Sequence, residues 1–170
     1  AGFFTFEQLR MISDFVSRRG GGFLMLGGRH AFGQGDYINT PLDDLLPVRM
    51  QTGEFREEEY KAHLTGYGVD HPVTRLHLDS TENRKRWESA PALTGLNPTG
   101  GAKPGATVLA QCARTGTRDQ SSVLLAFQRF GRGKSMALTT ASTWRWRMEL
   151  DHRDNFHELF WRQMLRWLVS

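Results

Sequence analysis

Glycines 20–22 and 27–28 bracket four apolar residues in the stretch "GGGFLMLGGRHAFGQGDY". No other feature limits the fold as strongly. Phe23–Leu26 is too short for a helix and shows no polar alternation, so it reads as a strand buried on both faces, as in a parallel sheet. The flanking glycines permit sharp turns on either side. Upstream, "FTFEQLRMISDFVSRR" places Leu9, Ile12, Phe15 and Val16 on one helical face. Thr5 is the predicted N-cap, with Gln8 completing a capping box and Phe4 and Leu9 at the staple positions. Helix, glycine turn and buried strand make half of a βαβ unit.

The remaining chain continues in mixed order. "NTPLDDLLPV" predicts one short helical turn, capped by Thr40 with Pro41 at the first helical position. "EFREEE" reads as exposed, "YKAHLTGYG" as a strand and "DHPVTRL" as a turn or short helix. "DSTENRKRWES" has the cap of a helix but little apolar face. "PALTGLNPTGGAKPG" reads as a loop because of its proline and glycine. "ATVLAQCA" is a strand, and two apolar runs around "FGRG" form an antiparallel hairpin. A last helix, about Arg153 to Leu168, carries Phe156, Phe160, Met164, Trp167 and Leu168 on one stripe. This order predicts an α/β layer fold.

At 170 residues the chain fits a single domain, 1–170. With 39% hydrophobic and 24% charged residues it belongs with folded globular chains rather than disordered ones. The net charge of +4 is scattered and does not mark a nucleic-acid or membrane surface. No apolar stretch approaches the roughly 20 residues of a membrane span, and no secretory leader is visible. The single cysteine, Cys112, excludes an internal disulfide and a cysteine-rich zinc site. The compartment stays open.

Six stretches, "FTFEQLRMISDFVSRRGGGFLMLGG", "FGQGDYINTPLDDLLPV", "DHPVTRL", "KPGATVLA", "FGRGKSMALTTASTWRWR" and "FWRQMLRWL", together resemble the class I glutamine amidotransferase-like domains of large bacterial membrane-associated proteins. The resemblance implies a flavodoxin-like parallel sheet with helices on both faces and a late antiparallel β-hairpin, here expected to be short of the family's N-terminal strands. It implies a fragment of a larger protein, whose other domains are its partners and which alone would supply membrane attachment. Active members of the wider fold place a cysteine on a nucleophile elbow, with a histidine and a glutamate after a later strand. On that pattern Gly27 occupies the nucleophile position, and Trp144-Arg145 stand where the histidine and glutamate would be. The expectation is a domain without catalytic residues, serving as a binding or assembly module. An active amidotransferase or hydrolase using other groups, and a small-anion sensor at the strand ends, remain the alternatives.

The candidate ligand-binding residues are Gly27, Gly28, Arg29, His30, His71, Trp144 and Arg145. Successive backbone N–H groups in the glycine turn could cradle an anion, with Arg29 adding a fork of donors; equally, the glycines could serve only tight turns. Cys112 reads as a small buried hydrophobe in a strand. His152 and His157 are spaced five apart, which does not set them on one helical face, and neither a metal nor a cofactor is expected. In "STWRWR" an extended backbone would turn both tryptophans inward and both arginines outward; nucleic acid is not expected as a partner. Self-association through an uncovered sheet edge is expected.

Overall fold

Thr5 caps the first helix as its sequence predicts. In the computed structural model, which describes residues 2–117 and 120–170, α1 spans Phe6–Arg19 and both bonds of the Thr5–Gln8 capping box are formed. Gly20 ends it in the left-handed conformation, at φ 78°. The chain then enters β1, Gly22–Leu26. A 3₁₀ turn at Phe32–Gly35, α2 at Pro41–Leu45 and β2 at Val48–Met50 follow. Next come β3 (Arg56–Leu64), α3 (Gly66–Val69), α4 (Ser80–Glu88), β4 (Leu93–Leu96) and β5 (Thr99–Ala102). β6 (Thr107–Arg114), β7 (Ser122–Phe130) and β8 (Gly133–Leu138) form the meander, and α5 (Trp144–Glu149) and α6 (Phe156–Val169) close the chain.

Six strands form one sheet in the order β1-β8-β7-β6-β3-β4, and β2 pairs with β5 in a small second sheet. The sheet separates two apolar cores. On one face Leu9 and Val16 of α1 and Leu42 and Leu45 of α2 pack on Met25, Val123, Ala126 and Ala137. On the other, Trp87, Trp146, Phe156, Phe160 and Met164 pack on Leu124, Leu125, Met136 and Leu138. The alternation of Met136, Ala137 and Leu138 between the two cores is the period-2 signature of a sheet covered on both sides. This is a flavodoxin-like α/β architecture with the expected late hairpin, β7–β8. Strand direction is mixed: β1 and β8 run parallel, while the other pairs of the main sheet are antiparallel. β7 and β8 are joined by two residues, a connection too short for a parallel pair.

Several local expectations need correction. β1 is an edge strand rather than a strand buried on both faces: only Met25 within it is buried, and Leu26 is 43% exposed. Phe15, assigned to the buried face of α1, is also substantially exposed. The glycine-rich stretch read as a loop contains β4 and β5, with Gly95 and Gly101 at φ 83° and 89° bending the strands where other residues would be strained. "STWRWR" is helical, so Trp146 is buried while Trp144 faces solvent. In a helix, residues two apart do not share a face.

Candidate functional site at the strand ends

In open α/β sheets ligands gather beyond the carboxyl ends of the parallel strands. Here those ends are Leu26, leading to Gly27, and Leu138, leading to Thr139. The Gly27 N–H donates to the Leu138 carbonyl at 2.7 Å, which extends the β1–β8 ladder by one step. The two backbones lie so close that a Cβ on Gly27 would stand 2.5 Å from the Thr139 carbonyl carbon and from the Thr140 nitrogen. Real Cβ atoms do not approach backbone this closely. Gly27 therefore leaves no space for any side chain, cysteine included.

Asn97 ties the turn together from the third side. Its Oδ1 accepts the Gly28 N–H at 2.8 Å, and its Nδ2 lies within bonding distance of the carbonyls of Gly28 and Ala31 and of Gln34 Oε1. The Asn97 N–H donates to the Thr139 carbonyl at 2.9 Å. Asn97 is almost fully buried, so these bonds replace water that it cannot reach. The sequence reading passed over Asn97; the only local signal was an Asn-Pro pair in a glycine-rich stretch.

The loop after β8 is equally committed. Thr139 Oγ1 donates to the Val123 carbonyl at 2.8 Å, and Thr140 Oγ1 to the Gly95 carbonyl at 2.8 Å. Ser142 Oγ accepts the Thr94 N–H at 2.9 Å. Trp144 projects into solvent. Arg145 bonds Glu149 at 2.5 Å and approaches Glu59 at 3.4 Å, and these carboxylates hold its pKa above the ordinary arginine value. Cys112, on β6, is buried, and desolvation pushes its thiol up to about 12, so it carries no thiolate near neutrality.

The other nominated residues separate. Gly28 sits at φ 148° with open space beside it. Arg29 pairs with Glu57 and lies over the Phe55 ring, 5.8 Å from its centroid. His30 is exposed and borders a small cleft with Gln34, Gly35 and Tyr37. His71 is packed between Phe127 and Trp167, at 5.0 and 5.5 Å between ring centroids. Burial lowers its pKa, and its Nδ1 accepts the Val73 N–H. Phe127 lies four residues along β7 from Val123, which bonds Thr139; that is about 13 Å of strand. The structure thus brings Gly27, Gly28 and the loop after β8 together and leaves His71 elsewhere. Among the described residues, no group of three or more His, Cys, Asp or Glu could hold a metal ion.

Arg29 and Arg145 share a fate that the sequence did not reveal. β3 opens with Arg56-Glu57-Glu58-Glu59, and each glutamate meets an arginine from another element. Glu57 pairs with Arg29, Glu58 with Arg114 at 3.5 Å and Glu59 with Arg145. The stretch "EFREEE" is exposed, as expected, yet it recruits both arginines that looked free to bind an anion.

A sheet of this order, with a glycine turn and a hydroxyl-rich loop meeting at the ends of its parallel pair, defines a glutamine amidotransferase-like α/β domain. The chain belongs to the family described as "Putative glutamine amidotransferase", which it matches over residues 4–170. Among solved structures it is similar to the cytoplasmic protein STM1381 from Salmonella typhimurium LT2, with 26% identity and a TM-score of 0.72. That match covers 95% of this chain and 60% of that one. The cytoplasmic protein STM3548 from Salmonella typhimurium shares its fold, at 24% identity and a TM-score of 0.72, over 96% of this chain and 61% of that one. The chain therefore spans about three fifths of the length of these structures. No curated protein matches it significantly.

Proposed function

We propose that this amidotransferase-like domain does not hydrolyse glutamine and serves as a binding or assembly module within a larger protein. The observation that carries this reading is the contact of Gly27 with the Thr139–Thr140 backbone. Amidotransfer by this fold needs a thiol on a strained turn, activated by a base and facing an oxyanion site. At the turn there is neither a side chain nor room for one. The Gly28 N–H, a natural oxyanion donor, is held by Asn97. Cys112 is buried and protonated. No helix of the described residues is long and apolar enough to cross a membrane; in this reading membrane attachment, implied by the resemblance, lies in the rest of the parent protein.

The test is ammonia release from glutamine by the purified domain. The expected rate is that of buffer, for the parent sequence and for Cys112→Ala alike. Release above background that survives Cys112→Ala would place a catalytic centre elsewhere in the domain. Release abolished by that substitution would make Cys112 the nucleophile and overturn the reading.

A further inference from the structure

The first residues of β3 enter different contacts. Glu57 and Glu59 meet Arg29 and Arg145, whereas Arg56, Glu58 and Tyr60 line a cavity of about 820 Å³ at the same end of the sheet. The lining also includes Gly100, Gly101 and Gln111. All four residues of β5 border the cavity, and among the described residues β5 pairs with β2 alone. Gly101 holds φ 89°, and a Cβ there would meet nothing within 4 Å, so bare backbone faces the space.

Among the described lining residues the charges do not cancel. Glu58 is satisfied twice: Oε2 accepts the Tyr60 hydroxyl at 3.3 Å, and Oε1 lies 3.5 Å from Arg114. Arg56 forms no ion pair with any described residue, although it begins the run whose three glutamates are all paired. A guanidinium offers five donors in a fixed fork suited to an oxyanion. Around it stand the neutral partners Gln111, Ser122 and Thr99. A cavity of this size accommodates a small organic molecule, and its polar lining suits a polar one.

We propose that this cavity is a binding site for a small organic anion, a carboxylate or a phosphate, with its charge on Arg56 and its polar body along β5. The proposal rests on the binding-module reading and assigns it a site distinct from the glycine turn, where the Gly27 and Gly28 N–H groups and Arg29 already have partners.

The experiment is a titration of isotope-labelled domain with succinate and, separately, with inorganic phosphate, at ionic strength held constant with chloride, followed by amide NMR shifts. Saturable shifts at Gly100, Gly101, Gln111 and Ser122 are expected with at least one of the two anions, and the better binder identifies the acid class. Arg56→Gln should weaken binding about tenfold, the loss expected for one charge-assisted contact, without altering the melting temperature. Arg29→Gln should leave the affinity unchanged. Absence of saturable shifts with both anions, or shifts indifferent to Arg56→Gln, would overturn the site. Shifts centred on Gly27–Arg29 and lost in Arg29→Gln would also overturn it, placing the anion on the turn. None of these outcomes depends on ammonia release, so this proposal and the absence of hydrolysis fail separately.

Discussion

Gly27 shows how much one residue type can decide. Its sequence position already said that no nucleophile stands at the turn, since glycine has nothing to attack with. The structure adds the reason the position is glycine: the ends of β1 and β8 close on each other too tightly for a Cβ. Gly27→Ala must push apart backbone that Asn97 and the extended ladder hold together. We expect it to cost about 2–3 kcal/mol, read as a lowered midpoint in denaturant unfolding. A variant as stable as the parent would mean that the two strand ends separate freely, and the steric argument against a thiol there would fall. Arg29 and Arg145 illustrate the opposite limit. A sequence shows that an arginine is present but not whether a glutamate from a distant strand has already taken it.

At the level of elements, legibility followed the kind of signal. Caps and turns were read well. The capping box of α1, the Thr40 cap of α2 and the hairpin around "FGRG", β7–β8, stand where the residues put them, because each is determined by neighbours in sequence. Faces were read less well. α4 has almost no apolar stripe, yet it docks through Asn83 and Trp87, one helical turn apart. Asn83 accepts the Leu76 N–H and donates to the carbonyls of Val69 and Thr74, while Trp87 sits among Trp146, Phe156 and Phe160. A buried asparagine with every bond made anchors a helix that hydropathy overlooks. β4 and β5 were missed because glycine usually signals a turn; here it permits the sharp bends by which short strands reach their partners. The cavity stays invisible in the sequence for the same reason, since its β5 wall is not announced there, although β3, β6 and β7 also line it.

Among the described residues the main sheet of the molecule ends on β1 and on β4. β1 has β8 on one side and no described strand on the other. Its sequence, "GFLML", contains none of the charges, prolines or bulges that usually protect an edge. Phe15 packs at its head beside Gly21, and Leu26 at its end is partly exposed. We expect the isolated domain to self-associate at micromolar concentrations through this edge, a second copy covering it. Sedimentation velocity over a concentration series would show the shift, and Leu26→Lys should reduce it. A monomer at every concentration would show that the edge is not adhesive.

The parallel pairing of β1 with β8 also bears on the order of assembly. Leu24 is matched with Met136, so β1 cannot pair with β8 until the strands between them in sequence have been made. β6, β7 and β8 close through short connections and lose little chain entropy in doing so, whereas β1 must close a loop containing most of the domain. On a ribosome β1 emerges well before β8, the strand it pairs with. This edge strand of the finished sheet is thus also the one that waits longest in sequence for the partner it pairs with.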